Sequence, residues 1–304
     1  MTVSVVISTF NGEKYILEQL ESIRKQTKQP DEVLIRDDGS KDRTVNICRK
    51  YVQDHSLNNW IITINDRNIG WAENFKEGFK IAKGDLIFPC DQDDVWLPDK
   101  IENMCDFFDK NEKMDLLVGG TIKVFEENGR KKKERKRFSG KVKKLPFDKK
   151  FLFVDYPGCA YCFKKTFFEK IEKYEFENYP HDSLLIRMGR LLGTAYYWDS
   201  PVLYWRRHGN NATGIPVRSN KLMKSNIKYY INCLKKMKEY CSDNDEEKRR
   251  IKLIENNISF YEARLVAFEK KKIIGRDSLF TCLKYINYYP KWKSIIGDVV
   301  RIIH

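Results

Sequence analysis

Three aspartates fall within four positions at Asp91, Asp93 and Asp94, directly after the apolar run 86–90 and before Val95 and Trp96. Carboxylates crowded at the end of a buried segment repel one another. A hard divalent cation such as Mg²⁺ or Mn²⁺, which prefers oxygen ligands, relieves that repulsion and neutralises a diphosphate. A second acidic group, Asp37 and Asp38 in DDGS, closes another apolar run, and Ser8, Thr9 and Phe10 close a third. An aromatic there can stack a base, and an acidic side chain can accept from a base N–H or a ribose hydroxyl. Taken singly, DDGS reads as a capped turn and DQDD as an acidic helix start. Their joint occurrence at corresponding places describes a nucleotide diphosphate site.

Strands and helices must alternate to bring these groups together. VSVVIST (3–9), DEVLIRDD (31–38), NWIITIN (59–65) and DLIFPC (85–90) are short β-branched or apolar runs, which predicts buried parallel strands. Between them, 13–26, about 42–51 and AENFKEGFKIAKG carry helical periodicity, the last closed by Gly84 in the C′ position. Strand–helix alternation at this spacing means an α/β sheet with right-handed crossovers, and ligands bind such sheets at the carboxyl ends of the strands. No G-x-G-x-x-G follows the first strand and no P-loop motif occurs, which argues against a dinucleotide fold and excludes a P-loop. Further along, the spacing predicts a helix from Pro98 to about Asn111, a strand over 115–125 and a strand beginning in PGCAYCFKK. Helices over 166–173 and 181–192 follow, then two short strands, TAYYWD and VLYWRRH.

The formal net charge of +14 is concentrated: 130–150 carries twelve Lys and Arg against Glu134 and Asp148. Gly129 and Gly140 mark turns there, so a protruding hairpin or a mobile loop is expected. Such a segment suits an anionic surface, nucleic acid or a cytoplasmic membrane leaflet, or simply a solvated loop. Eight cysteines are too dilute for a disulfide framework, and Cys159-x-x-Cys162 has no second pair for zinc, so a reduced cytosolic compartment is expected. The first residues show no signal peptide and no apolar stretch spans a bilayer. From Ser219 to Lys271 a lysine-rich pattern predicts two helices separated near 241–247, with Ser242 or Asp243 capping the second.

VSVVISTFNGEKYILEQLESIRKQT, PDEVLIRDDGSKDRT, NIGWAENFKEGFKIAKGD and DQDDVWLPDK resemble the inverting glycosyltransferases of family 2. The likeness resumes at PGCAYCFKK, HDSLLIRMGRLLG and VLYWRRHGNNATG, and is greatest to bacterial enzymes building rhamnose-containing cell-wall or capsular polysaccharides. It implies a GT-A fold: an α/β, mainly parallel sheet flanked by helices, with a helical C-terminal extension. The catalytic domain would be 1–215, split into a nucleotide-binding half (1–110) and an acceptor half (111–215), with 216–304 helical.

By the same resemblance Ser8, Thr9 and Phe10 line the base pocket and Asp38 binds base or ribose. Asp91 lies near the ribose, Asp93 holds Mn²⁺ or Mg²⁺, and Asp94 is a cap or supporting group. Asn68 and Asn74 belong to a donor-contacting block that here lacks its usual arginine. Asp182 matches the catalytic base, with His181 beside it as an orienting neighbour or a plain surface histidine. His208 completes the metal shell or meets the departing phosphate, and Arg206 and Arg207 neutralise the leaving group. Gly209, Asn210 and Asn211 suggest a loop closing over the donor, Gly158 and Cys159 lie near the donor sugar, and Trp96 packs under the acidic turn or lines the acceptor side. The implied donor is dTDP-rhamnose, with UDP-galactose, UDP-glucose and UDP-N-acetylhexosamines as alternatives. The implied acceptor is a polyprenol-linked glycan.

In the tail, Tyr288, Tyr289, Trp292, Ile295 and Ile296 mix with Lys291, Lys293 and Arg301. Such a helix lies on an anionic leaflet, packs on the domain, or joins a homodimer through the C-terminal helices. The competing class, a nucleic-acid-binding protein using 130–150, lacks any known module and would set acidic strand ends against a polyanion. No nucleic-acid partner is expected.

Overall fold

A computed structural model of the chain describes residues 1–127, 130–154, 156–208, 219–244, 247–269, 285–289 and 294. It divides into two compact units. The first comprises Met1–Leu145 with Asp155–Ala212, the second Pro146–Val154 with Thr213–His304.

The first unit opens with Val3–Thr9 (β1), Ile16–Arg24 (α1), Glu32–Asp37 (β2), Thr44–Asp54 (α2), Trp60–Ile64 (β3), Trp71–Ile81 (α3) and Leu86–Asp91 (β4). Val95–Trp96 (β5), Lys100–Lys110 (α4), Leu116–Glu127 (β6), Arg130–Lys133 (β7) and Val142–Lys144 (β8) follow. Tyr161–Lys164 (β9), Lys165–Ile171 (α5), His181–Leu192 (α6) and Ala195–Arg207 (β10) complete it. The strands form one sheet in the order β3-β2-β1-β4-β9-β6-β10-β5, with β7 on β6 and β8 on β10. β1 to β4 run parallel, as their nearly unbroken apolar faces require. β9 is antiparallel to both β4 and β6, and β6 pairs parallel with β10. Two reversals restore direction, so β10 ends at the same sheet edge as β1, β2 and β4. Ile16, Leu20 and Ile23 of α1 are fully buried against this sheet, each contributing about 1.5–3 kcal/mol.

Several sequence expectations are corrected. TAYYWD and VLYWRRH form one strand, β10, whose register against β6 shifts around Pro201, which lacks the N–H a regular ladder needs. Gly84 does not close α3 in a left-handed conformation; it is small because a Cβ there would lie 2.5 Å from the Ser4 backbone nitrogen. The hairpin expected in the basic run, by contrast, is present in part: β7 pairs antiparallel with β6, Val124 against Lys133 and Glu127 against Arg130. Residues 128–129 lie outside the described residues.

In the second unit Asn220–Asp243 (α7) and Lys248–Glu269 (α8) are the two expected helices. The Ser219 hydroxyl caps α7 by accepting from the Leu222 N–H. Ser242 and Asp243 lie in the last turn of α7, where the Ser242 hydroxyl donates to the Lys238 carbonyl, so neither starts α8. Tyr288 and Tyr289 are buried against Phe260, at 5.8 and 5.0 Å between centroids, which removes these two aromatics from any membrane-facing surface. The other tail residues named above, Lys291, Trp292, Lys293, Ile295, Ile296 and Arg301, fall outside the described residues. Among the described residues, no helix is long and apolar enough to cross a membrane.

Candidate functional site

The carboxyl edge of the sheet assembles from register. Ser8 lies beside Asp91 and Thr9 beside Asp37. The Thr9 hydroxyl donates to Asp37 at 2.9 Å, and Asp37 accepts the Ser40 N–H at 2.7 Å. Asp38, 2% exposed, accepts from the Asn65 amide (2.9 Å) and from the Ile69 and Gly70 N–H groups (2.8 and 2.9 Å). It therefore shapes the 65–70 turn, where Gly70 takes φ +86°. Asn74 is wholly buried: its amide donates to the Ser8 hydroxyl and the Arg36 carbonyl, both at 2.8 Å, and accepts from Asn65 at 3.0 Å. These residues brace the carboxyl edge of the sheet. Phe10, 43% exposed, and Asn68 stand at its rim, and Gln92 pins Phe10 by accepting its N–H at 2.9 Å and donating to its carbonyl at 3.0 Å.

The acidic turn is met by the end of β10. Asp93 Oδ2 and His208 Nε2 stand 2.9 Å apart, and the imidazole stacks on Tyr15 with centroids 4.6 Å apart and planes 21° apart. The Arg206 guanidinium lies 4.6 Å from the same tyrosine ring. Arg206 donates through its backbone N–H to Asp94 Oδ1 (3.0 Å) and through Nε to the Asp93 carbonyl (2.8 Å). Its two terminal nitrogens reach Glu18 and Glu126, the latter at 3.1 Å. Lys14, 3.0 Å from Glu126, also holds that carboxyl below the usual range. Arg206 is thus committed to fixing the turn. Arg207 is half-buried with its guanidinium 4.8 Å from the Trp205 ring.

Behind the turn, ligand atoms of Asp91, Asp94 and Cys159 lie within 4.8 Å of one another. Asp94 and Cys159 are fully buried and Asp94 Oδ2 has no hydrogen-bond partner. Burial, with Asp93 adding its charge, pushes Asp91 up to about 7. Burial likewise raises Asp94 and the Cys159 thiol well above their usual ranges. Beneath them Lys100, wholly buried, donates to the Cys159 carbonyl at 2.7 Å and lies 3.5 Å from the centre of the Trp96 ring. Burial brings its ammonium down to about 8. Trp96 is 2% exposed and packs under the turn.

Asp182 sits in the first turn of α6, where the helix dipole favours a carboxylate, and accepts the Ser183 N–H at 2.6 Å. Burial nonetheless raises its pKa, and its charge acts on Asp91 across the site. His181, 3% exposed, lies among Phe75, Phe79 and Trp71 at 4.4–5.7 Å with neither ring nitrogen hydrogen-bonded. Burial, aided by Lys76, lowers it to about 3, so it is neutral at ordinary pH and no surface residue. A Cβ on Gly158 would stand 2.8 Å from His181 Nε2 and 3.1 Å from Asp182 Cβ. Residues 209–211, expected to close over the donor, fall outside the description.

Tyr15, Glu18, Glu126 and Lys100 carry no sequence signal for the site. Tyr15 reads as part of the apolar face of α1, and Glu18 and Glu126 meet Arg206 from 188 and 80 residues away.

The profile of Glycosyl transferase family 2 matches residues 4–172. A dTDP-rhamnosyl transferase, RfbG, of Shigella flexneri is 31% identical over 220 residues, covering 68% of this chain and 73% of that protein. The glycosyltransferase GlyG of Streptococcus pneumoniae is 31% identical over 128 residues, 42% of this chain and 41% of that one. Among solved structures, S. aureus TarS 1–349 in complex with UDP-GlcNAc superposes with a TM-score of 0.64 at 18% identity, covering 98% of this chain and 83% of that chain. This last likeness is one of fold, the GT-A arrangement.

Proposed function

The chain belongs to glycosyl transferase family 2, and from that premise we propose that it is an inverting, divalent-metal-dependent transferase acting on a lipid-linked glycan in capsular or cell-wall polysaccharide synthesis. The observation that carries this reading is the meeting of Asp91, Asp93, Asp182 and His208 at one sheet edge. The proposed donor is dTDP-rhamnose, supported by the Shigella relative, a dTDP-rhamnosyl transferase. UDP-galactose, UDP-glucose and UDP-N-acetylhexosamines are the alternatives, and the TarS complex holds one of the last class. A lipid-linked acceptor places the reaction at the inner face of the plasma membrane.

The residues fit a divalent cation. The 2.9 Å between Asp93 Oδ2 and His208 Nε2 matches the roughly 3 Å edge between neighbouring ligands in an octahedron with bonds of about 2.1 Å. Asp91, Asp94 and Cys159 suit it less: a buried thiol driven towards its protonated form is a poor ligand for a hard ion. Bound there, Mn²⁺ or Mg²⁺ would supply positive charge to the diphosphate.

The chain's own part follows. Phe10 offers a face for the base, and the brace of Asp37, Asp38 and Asn74 fixes the loops around the nucleotide. Asp182 takes the proton of the acceptor hydroxyl as that oxygen bonds to the anomeric carbon. The bond from that carbon to the diphosphate oxygen breaks on the opposite face, which inverts the configuration. Arg206 keeps the Asp93–Asp94 turn in place.

The test is a panel of nucleotide sugars with Mn²⁺, assayed for transfer and for donor hydrolysis. Turnover of dTDP-rhamnose above the UDP-sugars supports the donor assignment. Turnover of a UDP-sugar alone replaces it, and metal-independent turnover removes the cation.

A further inference from the structure

The second unit contains a cavity of about 660 Å³ whose walls carry Lys149, Arg249, Arg250 and Lys252 against Asp148 and Glu247. The two acids are largely engaged. Asp148 Oδ1 accepts the Lys150 N–H at 2.8 Å, and Glu247 approaches Arg250 at 3.9 Å. Among the described residues, Lys149, Arg249 and Lys252 make no ion pair, whereas Lys236 and Lys238 on neighbouring α7 pair with Glu239 and Glu255 at 2.8 and 2.9 Å. Arg249 and Arg250 also occupy the first turn of α8, which holds no acidic residue. Cations there oppose the positive end of the helix dipole, an arrangement that an anion in the cavity would relieve. Tyr288 and Asn256 complete the wall, with the Lys149 ammonium 5.5 Å from the tyrosine ring.

We infer that this cavity binds a phosphate or diphosphate group, separately from the acidic site of the first unit. Guanidinium forks match phosphate oxygens, and the volume leaves room for whatever the phosphate is attached to. The group can come from a lipid headgroup or from a soluble phosphate. The inference does not depend on the proposed donor or acceptor.

The test uses the full chain with EDTA present, so that the acidic rim of the first unit repels phosphate. Inorganic pyrophosphate is titrated by calorimetry, and vesicles of phosphatidylcholine with or without phosphatidylglycerol are co-sedimented. The variants are Arg249→Ala/Lys252→Ala, Arg250→Gln, and a control on exposed α7 positions, Lys228→Ala/Lys235→Ala. Circular dichroism checks that each folds. Pyrophosphate should bind the double variant about tenfold more weakly than wild type, and the control with wild-type affinity. The same pattern with phosphatidylglycerol vesicles identifies a lipid headgroup, and the pattern with pyrophosphate alone identifies a soluble phosphate. Equal weakening in cavity and control variants, or wild type binding neither probe, overturns the inference.

Discussion

His208 Nε2 lies 2.9 Å from Asp93 Oδ2, joining the end of β10 to the acidic turn after β4 across 115 residues of sequence. The contact makes His208 a partner of the carboxylate that the family resemblance assigns to the metal. His208→Ala should therefore weaken Mn²⁺ affinity, read by calorimetry, by about 10–100-fold. Tyr15→Phe, which keeps the stack, should stay near wild type, while Tyr15→Leu should fall between. Wild-type affinity in His208→Ala, with loss in Asp94→Asn, would move the ion to the Asp91–Asp94–Cys159 cluster.

Asp182→Asn should leave nucleotide affinity unchanged and lower transfer by about 10²–10⁴-fold. The acid limb has a definite sign. A base must be deprotonated to work, and burial raises the Asp182 pKa. Activity of wild type should therefore fall at a higher pH than an ordinary carboxylate would dictate. A limb at the usual aspartate value would assign the base to another group.

Gly158→Ala tests the packing behind that base. The added methyl would lie 2.8 Å from His181 Nε2, so His181 and Asp182 must shift together. The expected result is a kcat lower by about tenfold with KM little changed, as a misplaced group of this kind gives. Unaltered kcat would show that the α6 start yields without cost.

Arg206→Met should lower unfolding stability, measured in urea, by about 1–2 kcal/mol, because Glu126 keeps only Lys14 and the Asp93 carbonyl loses its donor; exposure of Glu18 limits the loss. Arg206→Lys should recover only part, since one ammonium cannot reach both glutamates with a fixed fork. A change in donor KM with stability intact would return Arg206 to direct diphosphate binding.

The first four strands were legible because buried parallel strands leave unbroken β-branched runs, and the acidic turn because charge at a strand end is costly without a purpose. Side-chain commitments were not. Asn74, which the family resemblance places in a donor-contacting block, proves to be a wholly buried brace between β1 and β2. Arg206 reads as a phosphate ligand, and its partners Glu18 and Glu126 become visible only when the sheet closes. The tail aromatics Tyr288 and Tyr289 read as interfacial, yet both are buried and share Phe260 as a neighbour. Periodicity reports which face is apolar, and it cannot report which distant group will claim a polar one.

The braced sheet edge and its exposed rim bear on how this enzyme could change its substrate. Asp37, Asp38 and Asn74 are locked into hydrogen bonds that also hold the sheet edge and the 65–70 turn, so their replacement would cost folding before it altered choice of nucleotide. Phe10 and Asn68 face solvent, and neither supports the core. On the proposed donor site, a library directed at those two positions would therefore explore new bases while the scaffold stays intact.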